Sequence, residues 1–288
     1  MKNEKTIYLL FLANIISGIA QGISMLAIPW YFSDNMEVFS VWYLVITGLT
    51  LFWGIYAGTL IDRYSRRKLF IVINAVCGVL IGSIALYGFS VNSLSDFLVI
   101  LVFGITIFNY NLHYPNLYAF GQEITEPKYY GKLNSYIEVQ GQATSVLAGG
   151  LAAVLLNGGI SLGSFNIDVN KWDIHEIFLL DAATYFFVII LFILMKYTQI
   201  KKENIDASRL FDRLQRGFLY LLDHPIIFIF GLASYMLFAF TIVEIHVLLP
   251  AYVKDFLHEG GDVFASAEIC YSLGAIFSGV LILRLFRL

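Results

Sequence analysis

The sequence is short of charge. Only 14% of its 288 residues are Asp, Glu, Lys or Arg, against about 25% in a soluble domain. That shortage excludes an ordinary soluble fold. Cysteine is nearly absent too. Cys77 and Cys270 both fall inside apolar runs, which excludes a disulfide framework and a cysteine metal site. The histidines, His113, His175, His224, His246 and His258, share no metal-ligand spacing, so no metal is expected. There is no G-x-x-x-x-G-K-[ST] phosphate loop, which argues against an ATP-driven pump. No enzymatic motif convinces, and no enzymatic activity is expected.

What the chain has is hydrocarbon. Hydrophobic residues make up 59%, and the mean hydropathy is +0.75. Eight apolar runs, roughly 6–32, 39–61, 69–90, 97–121, 134–157, 176–197, 226–252 and 263–284, are each long enough to cross ~30 Å of lipid. A lipid-exposed backbone must satisfy its own hydrogen bonds, so the runs read as helices and the fold class as all-α, polytopic membrane protein. With the N-terminus cytoplasmic, every lysine and arginine except Lys171 and Lys254 falls on the cytoplasmic side, which sets the topology. The first run is about 27 residues long, too long for a signal peptide.

The chain repeats itself at an offset of 221 residues. Pro29-Trp30-Tyr31-Phe32-Ser33-Asp34 falls on Pro250-Ala251-Tyr252-Val253-Lys254-Asp255. Gly58, Leu60, Arg63 and Arg66 fall on Gly279, Leu281, Arg284 and Arg287. Spans 7 and 8 therefore repeat spans 1 and 2 in the same orientation, which also makes span 1 a permanent helix. Asp62 has no counterpart, because Leu283 stands at its place.

Between spans 2 and 3 lies Gly58-Thr59-Leu60-Ile61-Asp62-Arg63-Tyr64-Ser65-Arg66-Arg67-Lys68. This resembles the signature loop of the major facilitator superfamily, G-x-L-x-D-R-x-G-R-K, with Ser65 for the usual Gly and Arg67 for the usual Lys. Asp62 at a helix end can cap the positive N-terminus of a neighbouring helix, and Arg63, Arg66, Arg67 and Lys68 can pair with acids or phosphates. In the family this loop locks the two halves in the outward-facing state. Span 5 carries Gly141, Gly149 and Gly150, which match the superfamily's antiporter motif G-x-x-x-G-P-x-x-G-G, while Ser145 and Val146 replace its central Gly-Pro. Small residues there also serve plain helix packing. Phe178–Tyr185, Gly217–Pro225 and Leu249–Val253 are similar to the twelve-helix macrolide and siderophore exporters of the superfamily.

The resemblance implies the major facilitator fold: a six-helix N-terminal half over 1–197, a cytoplasmic linker over 198–225 and the first two helices of the C-terminal half over 226–288. A full second half would bring the total to 12 helices, so further C-terminal helices are expected in the complete protein. Within the linker, Leu210, Leu214, Phe218 and Leu221 recur at helical spacing opposite Arg209, Arg213 and Arg216, as in a helix lying along the headgroups.

Acids inside spans are the sharpest site candidates, because burying a charge is costly. Glu244 lies eight residues before Tyr252, about 12 Å inside the end of span 7, where desolvation would suit it to carry a proton. Asp181, Glu268 and Glu138 sit nearer the faces and can instead pair with neighbours. Asn14, Ser17 and Gln21 form a polar stripe on span 1, and Asn109, Asn111 and His113 cluster in span 4, as cavity lining or as helix glue. Residues 97–121 lack the Arg that some antiporters place in span 4. The implied function is proton-coupled efflux of a small amphipathic or siderophore-like solute by alternating access. It needs no cofactor beyond a proton gradient. The partners are the solute and the lipid bilayer, with no nucleic acid. A proton-coupled nutrient importer of the same fold and a non-transporting scaffold are the alternatives.

Overall fold

The computed structural model describes residues 3–162, 165–197 and 210–285. The chain is helical, as its apolar runs require. The helices are α1 (Glu4–Tyr31), α2 (Met36–Arg63), α3 (Arg66–Val91), α4 (Asp96–Ile124), α5 (Tyr130–Asn157) and α6 (Ile174–Leu194). They are followed by α7 (Leu210–Asp223), α8 (Pro225–Val243), the short α9 (Leu249–Ala251) and α10 (Gly261–Leu285). Among the described residues seven crossings are long and apolar enough to span a membrane, the seventh being Pro225–Phe256. The eighth expected span forms as α10. Most helices run a few residues past the apolar runs that announced them, because their ends continue into polar residues at the interface.

Among the described residues one connection is not helical. The connection between α5 and α6 holds an antiparallel hairpin, β1 (Gly159–Leu162) paired with β2 (Phe165–Asp168), in the register Gly159 to Asp168. Gly158 ends α5 at φ 83, a left-handed conformation that glycine adopts without strain. The polar residues of this loop hid the strands from a reading based on apolar runs. The crossing Pro225–Phe256 also departs from a plain helix. Glu244–Leu248 and Tyr252–Phe256 are π-helical turns that flank Pro250. Proline removes one backbone donor and crowds the carbonyl four residues earlier, and a wider turn relieves that crowding.

In the first six helices, α1 packs on α4, α5 and α6, α3 runs along α6 and α4, and α2 lies on α4. Two aromatic cores fill the bundle. Phe32, Phe39, Tyr43, Phe103, Phe178 and Tyr185 fill one end. Phe70, Phe120 and Phe192 fill the end nearer the Arg63–Lys68 loop. The second unit touches the first mainly through α10, which lies along α5, and through the 244–257 end of the α8 crossing. Residues 225–243 of α8 contain no buried side chain. The linker helix forms as α7, but the polar residues 198–209 before it lie outside the described residues.

Candidate functional site

Helices α2 and α3 are joined by only Tyr64 and Ser65, so the basic loop is a tight corner. Its cations are used differently. Arg66 donates to Glu123 at 3.0 Å at the end of α4, where the Glu123 side chain is only 4% exposed. The Arg66 carbonyl accepts from Asn116 at 3.0 Å. Arg67 donates to the Met195 carbonyl at 2.6 Å just past α6 and lies 5.7 Å from the centre of the Tyr197 ring. The corner thus ties the ends of α4 and α6 together. Asp62 and Arg63 are exposed, with Arg63 over the Tyr64 ring. Lys68 is exposed. Gly58 faces open space. Glu123 and Asn116 were not singled out from sequence, although an acid two residues past span 4, on the same face as a basic loop, is a readable signal.

Deeper in the bundle is a polar core. His113 Nε2 and Asn14 Oδ1 are 2.8 Å apart, and Asn14 Nδ2 donates to Gln140 Oε1 at 2.9 Å. Gln140 Nε2 reaches Thr144 Oγ1 at 3.4 Å. This chain links α4, α1 and α5. A second group lies toward the other face. Asp181 of α6 is 0% exposed, and its Oδ2 accepts from Ser24 Oγ at 3.3 Å. Cys77 and Tyr185 lie beside it, and Tyr185 Oη accepts from Asn109 Nδ2 at 3.1 Å. Asp181 Oδ1, Asn109 Oδ1 and Gln21 Nε2 have no hydrogen-bond partner among the described residues. No cation pairs with Asp181 among the described residues. Ser24 extends the Asn14, Ser17, Gln21 stripe by one more helical step, so the stripe itself pointed to it.

Other candidates are not brought to this core. Asn109 and His113 are four apart and buried on one face, whereas Asn111 between them bonds its own helix at the Ile107 carbonyl, 3.0 Å away. Glu138 is exposed and accepts from Tyr118 Oη. Glu244, expected to be desolvated, is exposed, while His246 two residues on is buried against the Tyr43 ring. The Glu268 side chain lies outside the described residues. In span 5, a Cβ on Gly149 would sit 2.9 Å from Ile269 Cγ1 and 3.1 Å from the Ala265 carbonyl, so α10 approaches α5 as closely as a glycine permits. Gly150 faces Ile269 at longer range, and Gly141 faces open space.

At the face opposite the basic corner the two units are clasped. Lys254 Nζ donates to Ser33 Oγ at 3.1 Å and pairs with Asp34. Ser33 and Lys254 are the two positions that the 221-residue offset superimposes.

Apolar membrane-crossing helices around a hydrogen-bonded polar core define a multi-pass membrane protein equipped to handle polar groups inside the bilayer. The model of the Major Facilitator Superfamily matches residues 10–288, and the chain belongs to that superfamily of secondary transporters. No curated protein matches the chain.

Proposed function

We propose that the protein exchanges protons for the outward movement of a small amphipathic or siderophore-like solute, by alternating access, with its N-terminus in the cytoplasm. The observation that carries proton coupling is Asp181. A carboxyl wholly buried among membrane-crossing helices, with one neutral donor and no cation among the described residues, is costly to keep charged. Binding and releasing a proton relieves that cost, and the Ser24 bond to α1 and the Tyr185 to Asn109 bond couple the event to neighbouring helices. The orientation is supported by the basic face: Lys5, Arg63, Arg66, Arg67, Lys68, Lys128, Lys132 and Lys196 lie at one end of the bundle, and Lys171 and Lys254 at the other. Efflux is supported by the exporter-like fragments and by the glycine contact of α5 with α10. The clasp then closes the outer face.

The test is solute flux in proteoliposomes under an imposed pH gradient. Outward flux driven by inward protons is expected, and Asp181→Asn should uncouple flux from the gradient. Glu244→Gln should leave coupling intact. Flux running with the protons would replace efflux by import. Full coupling in Asp181→Asn would move the proton site elsewhere.

A further inference from the structure

Away from the polar core, α2, α3 and α4 enclose a lateral groove of about 810 Å³. Trp42 and Trp53 form one wall, Val72 and Val76 the other, and Ile105 and Phe108 lie along the floor. Val72, Val76, Leu80 and Phe97 are exposed, so the groove opens sideways toward the bilayer. The indole N–H of Trp53 donates to the Phe108 carbonyl at 2.8 Å, which leaves the wall almost without polar atoms. Lys68 stands at the end of the groove on the basic face. Arg66 and Arg67 are held by Glu123 and the Met195 carbonyl, but Lys68 has no ion-pair or hydrogen-bond partner among the described residues.

We propose that this groove binds one anionic glycerophospholipid, with its phosphate on Lys68 and an acyl chain along α3. Lys68 to Leu80 is twelve residues of helix, ~18 Å by helical rise, close to the ~15 Å depth of one leaflet. The cation therefore stands at headgroup level while the apolar length stays in hydrocarbon. The alkyl stem of the lysine lies on the groove and its ammonium reaches the interface. A polar solute would find few partners on this wall, and a zwitterionic lipid would bring its own cationic headgroup against the lysine. The inference rests only on membrane insertion, not on the direction or coupling of transport.

Quenching of tryptophan by brominated acyl chains tests it. The full chain carrying Trp30→Phe and Trp172→Phe, in phosphatidylcholine vesicles, keeps only the two groove tryptophans as reporters. With about 5 mol% brominated phosphatidylglycerol, quenching should exceed that from brominated phosphatidylcholine about fivefold, the enrichment one lysine near a membrane surface supports. Lys68→Gln should abolish the excess and Lys68→Arg keep it. Gly104→Leu should lower quenching by both lipids. A Cβ there makes only ordinary contact with Ile46 at 3.6 Å, so the added bulk enters the groove. Equal quenching by both lipids, or an excess that survives Lys68→Gln, overturns the proposal. So does absence of quenching, which would mean a protein surface such as a second copy covers the groove. If Lys68→Gln does not fold, loss of the excess at high salt in the unsubstituted chain decides the matter.

Discussion

Two kinds of contact hold the units together opposite the basic corner, and their magnitudes predict which one governs opening. The ionic contact is Lys254 with Asp34 and Ser33. Its side chains are 31% and 83% exposed for Lys254 and Asp34, so the pair is worth about 0.2–1 kcal/mol. Lys254→Ala should therefore shift the balance between closed and open forms by at most about fivefold. The apolar contact lies just beneath. Phe264 of α10 is fully buried and stacks on Trp30 of α1, with ring centres 6.0 Å apart and planes at 15°. Val253 and Ala265 complete the cluster with Ile23, Leu26 and Ala27 of α1. Truncating a buried phenylalanine costs about 3 kcal/mol or more, so Phe264→Ala should favour opening by on the order of a hundredfold. Spin labels at the exposed positions Glu37 and Glu259, in a Cys270→Ser background, report the separation of the units as distance distributions. The unsubstituted chain should show mainly the short distance, Lys254→Ala a small long-distance fraction, and Phe264→Ala mostly the long distance. If Lys254→Ala opens the protein as far as Phe264→Ala does, the ionic clasp rather than packing holds the face shut, and the ranking argued here is wrong.

Gly149→Val should force α10 away from α5 and lower the melting temperature in detergent, at a cost of about 1–3 kcal/mol, whereas Gly141→Ala, which meets nothing within 4 Å, should be neutral or slightly stabilising. Arg66→Ala strands the buried Glu123 and should cost about 1.5–3 kcal/mol, and adding Glu123→Gln should recover part of that loss in a double-mutant cycle read by thermal unfolding. Asn14→Leu removes the shared partner of His113 and Gln140 and should cost about 1–3 kcal/mol in the same assay, more than Asn111→Leu, whose bond stays within its own helix.

The crossings were legible because the bilayer makes a strong and simple demand. About 20 apolar residues in a row have few alternatives to a spanning helix, and all eight expected runs became helices. The ends were less legible. Hydropathy stops at the first charges, but Met36–Arg63 and Asp96–Ile124 continue into them, since a polar residue at the interface does not end a helix. The capping box of α6, with Asp173 and Glu176 bonded to each other's backbone amides, was written in the sequence as D-x-x-E but carries no hydropathy signal. The π turns around Pro250 were not readable from run length, because one extra residue per turn leaves the composition unchanged.

The site shows the same division more sharply. Position along a spanning helix can be counted from its ends, and it correctly placed both Asp181 and Glu244 within crossings. Direction around the helix cannot be counted when every face is apolar. In α6 and in the Pro225–Phe256 crossing most neighbours of each acid are apolar, so the sequence offers no continuous polar face to separate core from lipid. Polar residues restore that information where they recur at helical spacing. Asn14, Ser17, Gln21 and Ser24 mark one face of α1, and that face meets His113, Gln140 and Asp181. Asn111 shows the converse, since two residues along a helix is more than half a turn and removes it from the face of Asn109 and His113. A stripe on one helix therefore locates the buried acid on another more reliably than the depth of the acid does. Asp181, opposite the stripe, is enclosed, and Glu244, which meets no such stripe among the described residues, is exposed.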